Sequence, residues 1–203
     1  MSFLDKIFET IKNPKNAMKS IVEQPMIEDA AMIVGIYAIL SAFIRYVQSN
    51  NPPVVVTILS TAGALLGAFL IWLIFALIIH LISMALGGKG KLYPQSMIVV
   101  GYSMIPMIFE GVIQLSLLFI MVPIPMTEFT TNPVTAEKVY NNTYLFVSSI
   151  IGIIMRIWMS LLLFFGVQSA HRLTAAKSAV VAGISLAISF VSIIWSIWGR
   201  NLL

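Results

Sequence analysis

The chain contains no cysteine, and that one absence removes disulfides, thiolate nucleophiles and cysteine-ligated metals together. Charge is scarce as well. Only 10% of the residues are Asp, Glu, Lys or Arg, against roughly 25% in a soluble domain. Nothing resembles a nucleotide-binding loop, because Gly87-Gly-Lys-Gly-Lys91 has neither the spacing nor the closing hydroxyl that a P-loop needs. HExxH and GxSxG patterns are missing too. The two histidines, His80 and His171, have no carboxylate at ligand spacing and so form no recognisable metal site. An enzyme reading has no residue to rest on, and neither a cofactor nor a nucleic-acid partner is expected.

What the chain has in abundance is apolar side chains, 59% of its 203 residues, with a mean hydropathy of +0.97. This places it among integral membrane proteins and predicts an all-α, polytopic bundle of transmembrane helices in a lipid bilayer. At ~20 residues per span the length allows about five or six crossings and no sizeable soluble domain.

Residues 1–25 are expected to form a cytoplasmic amphipathic segment, and 26–203 a five-span domain. Ser2 with Asp5 three residues on reads as a capping box, and Phe3, Leu4, Ile7, Phe8 and Ile11 then share one helical face. Asn13-Pro14 ends that helix and starts another, in which Met18, Ile21 and Val22 are interleaved with basic Lys15 and Lys19, just after Lys12. Two readings fit this pattern. Either both helices lie on an anionic leaflet through Lys12, Lys15 and Lys19, or they form a hairpin packed on the protein's own helices. No cleaved signal peptide is expected, because Glu28 and Asp29 precede the apolar run and no small-residue cleavage site follows.

The apolar pattern predicts spans at about 30–46, 54–86, 96–122, 144–166 and 178–198. Between them lie a tight turn at 48–53, a glycine-rich loop at 87–91, a polar loop at 123–142 and a basic loop from Gln168 to Lys177. The second span exceeds what a bilayer needs and should tilt or project. Its Ser60, Gly63 and Gly67 suit close helix packing. Ser178, Ala182, Ser185, Ser189, Ser192 and Ser196 fall within about 40° of one line on the last helix. Such a stripe serves intramolecular packing, a polar cavity or a homo-oligomer contact. Trp195 and Trp198 suit an interfacial belt, and the 12 scattered methionines read as adaptable core filling.

With the N-terminus inside, eight lysines and arginines fall on the cytoplasmic side (Lys6, Lys12, Lys15, Lys19, Lys89, Lys91, Arg172, Lys177) and three outside (Arg45, Lys138, Arg200). That bias predicts a cytoplasmic N-terminus and an external C-terminus. It also sets the Asn141 sequon outside, where glycosylation reaches it.

Two charges remain within the spans. Glu110 and Arg156 each lie one residue from the centre of their own span, and the spans run antiparallel, so an ion pair near the midplane relieves both. Ser103 and Gln114 share a face with Glu110, and Pro106 frees a carbonyl one turn before it. The pair is either a structural clamp or a gate, proton relay or substrate site. His80 is either a hydrogen-bonded interior histidine or a proton shuttle.

Four short stretches, Asn13-Pro14-Lys-Asn-Ala-Met-Lys19, Gly87-Gly-Lys-Gly90, Gly101-Tyr102-Ser103-Met-Ile-Pro106 and Gly166-Val-Gln-Ser-Ala-His171, occur in an order and spacing that resembles the Yip1 domain family of five-span membrane proteins. Eukaryotic members are associated with small Rab-type GTPases and vesicle traffic at the Golgi and endoplasmic reticulum. They carry a long cytosolic region where this chain has about 25 residues before its first apolar run, so the likeness is to short-tailed prokaryotic members. The resemblance carries over no catalytic residue and defines no role for such members. The basic amphipathic N-terminus, the packing stripes and the missing catalytic motifs point to a non-enzymatic scaffold or adaptor in a cell membrane, acting on lipids or protein partners. The alternative is a small transporter or channel that uses the Glu110–Arg156 pair.

Overall fold

The computed structural model describes residues 2–48, 53–121 and 133–198, with side-chain detail over 2–48, 53–120 and 143–191. Among these the chain is helical, with no strand. The helices are α1 (Phe3–Lys12), α2 (Pro14–Glu23), α3 (Ile27–Gln48), α4 (Val54–Ala85), α5 (Met97–Ser103), α6 (Ile105–Met121), α7 (Pro133–His171) and α8 (Ala175–Trp198). The expected turn at 48–53 and loop at 123–132 lie largely outside the described residues, as do the side chains of Lys138, Asn141, Ser192, Trp195, Ser196, Trp198 and Arg200.

At the N-terminus, α1 opens on a complete capping box. The Asp5 N–H donates to Ser2 Oγ at 3.2 Å and the Ser2 N–H donates to Asp5 Oδ2 at 2.9 Å. Hydrogen bonding from the Ser2 side chain, and then from its backbone, holds the Asp5 carboxyl below the ordinary carboxylate range. Asn13 caps α2, with Pro14 at its first position. The hairpin reading describes α2, which lies against α5 and α7. Its Ala17, Met18, Ile21 and Val22 are buried in the core. On α1 only Phe3 and Ile7 join that core, while Leu4 (62%) and Phe8 (59%) stay exposed.

Four stretches are long and apolar enough to cross a membrane: Ile27–Gln48, Val54–Ala85, Leu92–Ile120 and Thr143–His171. A shorter apolar stretch, Ala175–Val191, lies in α8. Their outer faces carry side chains such as Leu59, Leu66 and Ile71, each at least 66% exposed. In water such a surface would drive aggregation, and in hydrocarbon it is the face that meets lipid.

Three boundaries differ from the sequence pattern. The third apolar stretch is two helices rather than one, because Pro106 has no N–H to offer the Tyr102 carbonyl. The Met104 N–H bonds the Gly101 carbonyl at 3.1 Å and the Met107 N–H bonds the Met104 carbonyl at 2.9 Å, closing a tight turn between α5 and α6. α7 begins at Pro133, ahead of the apolar run, so 133–142 is helix where the sequence suggests loop. Proline fits a first turn, and Ala136, Glu137 and Lys138 are good helix formers. At its other end α7 continues through His171, since no breaker stands between Gly166 and Arg172. The expected basic loop shrinks to 172–174, with Arg172 in the left-handed region at φ 53°.

The glycine-rich loop laces three helix ends together. Gly87, at φ 87°, ends α4 with paired bonds from the Gly87 N–H to Met84 O (2.9 Å) and from the Gly88 N–H to Ser83 O (2.8 Å). Lys89 N–H bonds the His171 carbonyl at 3.0 Å, and Lys177 Nζ caps the Leu86 carbonyl at 2.6 Å. A Cβ on Gly90 would stand 2.5 Å from the Ala170 carbonyl oxygen, a backbone atom that has no room to retreat.

Candidate functional site

The antiparallel arrangement of α6 and α7 sets Glu110 opposite Arg156. Arg156 Nη1 lies 3.2 Å from both carboxylate oxygens and also donates to the Gly152 carbonyl at 3.0 Å. Gln114 Nε2, one turn along α6, donates to Glu110 Oε1 at 3.0 Å. Gly152 makes room for this group, because a Cβ there would sit 3.0 Å from Arg156 Nη1 and 3.2 Å from Glu110 Oε1. The side chains are 17% and 9% exposed, so the pair is largely out of contact with lipid. The other guanidinium nitrogens, Nη2 and Nε, make no hydrogen bond among the described residues.

That remaining exposure faces a cavity of about 640 Å³ between α3, α6 and α7, a size in the range of small-molecule sites. Each helix gives it one face. α3 supplies Tyr37, Ser41, Ile44, Arg45 and Gln48; α6 supplies Met107, Glu110, Gly111 and Gln114. From α7 come Leu145, Ser148, Ser149, Gly152 and Arg156, at helical spacing, with Tyr144 and Phe146 beside them. The cavity runs from the ion pair toward the end of the bundle away from the lysines, where Gln48 Nε2 and Tyr144 Oη are 3.4 Å apart. On its wall Ser148 Oγ is buried without a hydrogen-bond partner.

The remaining residues singled out from sequence lie elsewhere. Ser103 is fully buried and bonds the Val99 carbonyl of its own helix at 2.7 Å, away from the cavity. Pro106 sits in the first turn of α6. A Cβ at Gly63 or Gly67 would meet nothing within 4 Å, so neither glycine serves a close helix approach among the described residues. The α8 stripe does face a neighbour. Ser178 and Ser185 are buried, Ser160 Oγ on α7 bonds the Ala182 carbonyl at 2.8 Å, and Ser189 Oγ bonds Ser185 O at 2.9 Å.

His80 belongs to a separate knot at the lysine-rich end. Ser96 Oγ lies 3.3 Å from His80 Nδ1 and 2.9 Å from His171 Nε2, and 3.1 Å from the Lys91 carbonyl. A hydroxyl that donates to the carbonyl can accept from both rings, an arrangement in which His80 carries its proton on Nδ1 and His171 on Nε2. Histidines 91 residues apart give no sequence signal of this kind.

A second knot was equally hidden. Lys6 Nζ on α1 pairs with Asp29 Oδ2 at 2.5 Å, and the Tyr102 hydroxyl donates to the same oxygen at 2.9 Å. The chain thereby ties its first helix to α3 and α5. The only hint in the sequence is a tyrosine inside the Gly101-Tyr102-Ser103 stretch that carries part of the family likeness. Tyr102→Phe is expected to lower thermal stability by about 2 kcal/mol, the worth of a hydrogen bond to a charged group, read as a fall in melting temperature in detergent.

Compared with known proteins, the chain matches the Yip1 domain model over residues 8–196. No curated protein and no solved structure matches it.

Proposed function

The chain belongs to the Yip1 domain family, and on that footing we propose a non-enzymatic scaffold or adaptor of a prokaryotic cell membrane. In this reading residues 26–203 cross the bilayer five times, the N-terminus is cytoplasmic and the C-terminus external. Residues 1–25 are the working end, which meets lipids or protein partners.

One observation carries the reading. α1 presents Leu4, Phe8 and Ile11 outward on a single face, yet Lys6 pins the helix to Asp29. Lys12 and Lys15 are exposed beside it. A fixed apolar ridge flanked by cations matches the headgroup layer of an anionic leaflet.

The absence of native cysteine makes a direct test simple. A fluorophore on Phe8→Cys in proteoliposomes is expected to be quenched by lipid-borne nitroxide. Quenching should be stronger with anionic lipid and weaker after Lys12→Gln with Lys15→Gln. Equal access by a water-soluble quencher in anionic and neutral vesicles would overturn the proposal.

A second reading, a small transporter or channel, draws on the cavity that reaches Glu110 and Arg156. It predicts proton or solute flux in proteoliposomes that Glu110→Gln abolishes while the fold survives. Sealed vesicles with no flux in the parent protein would contradict it.

A further inference from the structure

Charge on the cavity wall is unbalanced. Glu110 and Arg156 answer each other, but Arg45 lines the same cavity with no hydrogen bond or ion pair among the described residues. The lining therefore carries one surplus positive charge. Two further features describe what would balance it. The free nitrogens of Arg156 are polar groups without partners on the floor, which suits a ligand bearing hydroxyls or acceptor oxygens. Ile44, Met107, Leu145 and Phe146 share the lining, which suits an amphiphile better than a free ion.

Arg45 also lies at the right depth. It stands three residues from the end of α3, where a span meets the headgroup layer. Exposed Phe43 (45%) and Phe146 (67%) flank that level and offer acyl-chain contact. A guanidinium fork binds a phosphodiester bidentately where an ammonium would not. Ser149 lies one helical turn, roughly 6 Å, inward of Leu145, within reach of a polyol headgroup.

We propose that the cavity between α3, α6 and α7 holds the headgroup of a monoanionic phospholipid from the leaflet at the Gln48 end. Its phosphodiester sits on Arg45 and its headgroup hydroxyls point toward Gln114 and the ion pair. The proposal rests on the cavity alone. A lipid held there need not cross the membrane, and the α1 ridge plays no part.

The test is calorimetric titration of the purified full chain, in neutral detergent, with short-chain phosphatidylglycerol, phosphatidylcholine and inorganic phosphate. Saturable binding of one phosphatidylglycerol is expected, with phosphatidylcholine about tenfold weaker, the scale of one charge-assisted hydrogen bond. Arg45→Gln should weaken phosphatidylglycerol about tenfold at an unchanged melting temperature, and Ser41→Trp, which fills the cavity, should abolish binding. Leu4→Ser with Phe8→Ser should leave binding intact, which separates this site from the surface ridge. Equal binding of both lipids, or an Arg45→Gln protein that binds like the parent, would overturn the proposal. Inorganic phosphate competing at the same concentration would assign the site to a free anion and also overturn it.

Discussion

Glu110→Ala is expected to destabilise the bundle by about 3 kcal/mol or more, because it leaves the Arg156 guanidinium largely buried without its counter-charge. Arg156→Ala should cost a similar amount for the reciprocal reason. Contact with the cavity at 17% and 9% side-chain exposure places the expected loss at the lower end of the range for buried pairs. Exchanging the two residues, Glu110→Arg with Arg156→Glu, should restore only part of the loss, since the pair regains its partner while the Gly152 carbonyl, which accepts from Arg156, would face a carboxylate. Thermal unfolding in detergent reads all four proteins. If the single variants melt like the parent, the pair is not a clamp. If they do so and lose a transport activity, the gate reading takes its place.

The second large effect belongs to Gly101. A Cβ on Gly101 would stand 2.6 Å from Ala30 Cβ and 3.1 Å from Ala30 Cα, so α5 and α3 would have to separate. Separation would also stretch the Tyr102–Asp29 bond that spans the same two helices. Gly101→Ala should therefore cost about 1–3 kcal/mol, as overpacking does, and Gly101→Val more. Adding Ala30→Gly removes the nearest clash and should recover part of the loss. Recovery stays incomplete because the residue-30 Cα and carbonyl oxygen, 3.1 and 3.3 Å from the added Cβ, remain. If Gly101→Ala melts like the parent, the two helices do not cross this closely.

The fold was largely readable because a bilayer imposes a simple rule: long apolar runs become helices. That rule places the spans and sets Glu110 and Arg156 at one depth, and the two side chains meet at 3.2 Å. It fails where the determinants are local. Polar residues 133–142 continue a helix because nothing in them breaks one, and the third apolar run divides at Met104 because of a single missing N–H. Long-range polar contacts left no periodic trace. Lys6–Asp29–Tyr102 and His80–Ser96–His171 each join residues that lie far apart in sequence.

The short stretches that carry the family likeness gather at the lysine-rich end. Gly90 lies against Ala170, Gly101 against Ala30, and Gly166 so close to Val99 that a Cβ would come within 2.4 Å of it. Met18 is buried among them. These residues account for how helices pack. The cavity is built from others, such as Arg45, Gln114 and Ser149, so the family pattern gave no indication of it.

A polar cavity reaches the ion pair from the side opposite the lysines. Single cysteines at Ser149 and Ser103, in a chain with none of its own, test it most directly when intact cells are treated with a membrane-impermeant thiol reagent. Labelling of Ser149→Cys from outside, with buried Ser103→Cys unreactive, is the expected result. Labelling of Ser149→Cys only from the cytoplasmic side, or not at all, would contradict the account.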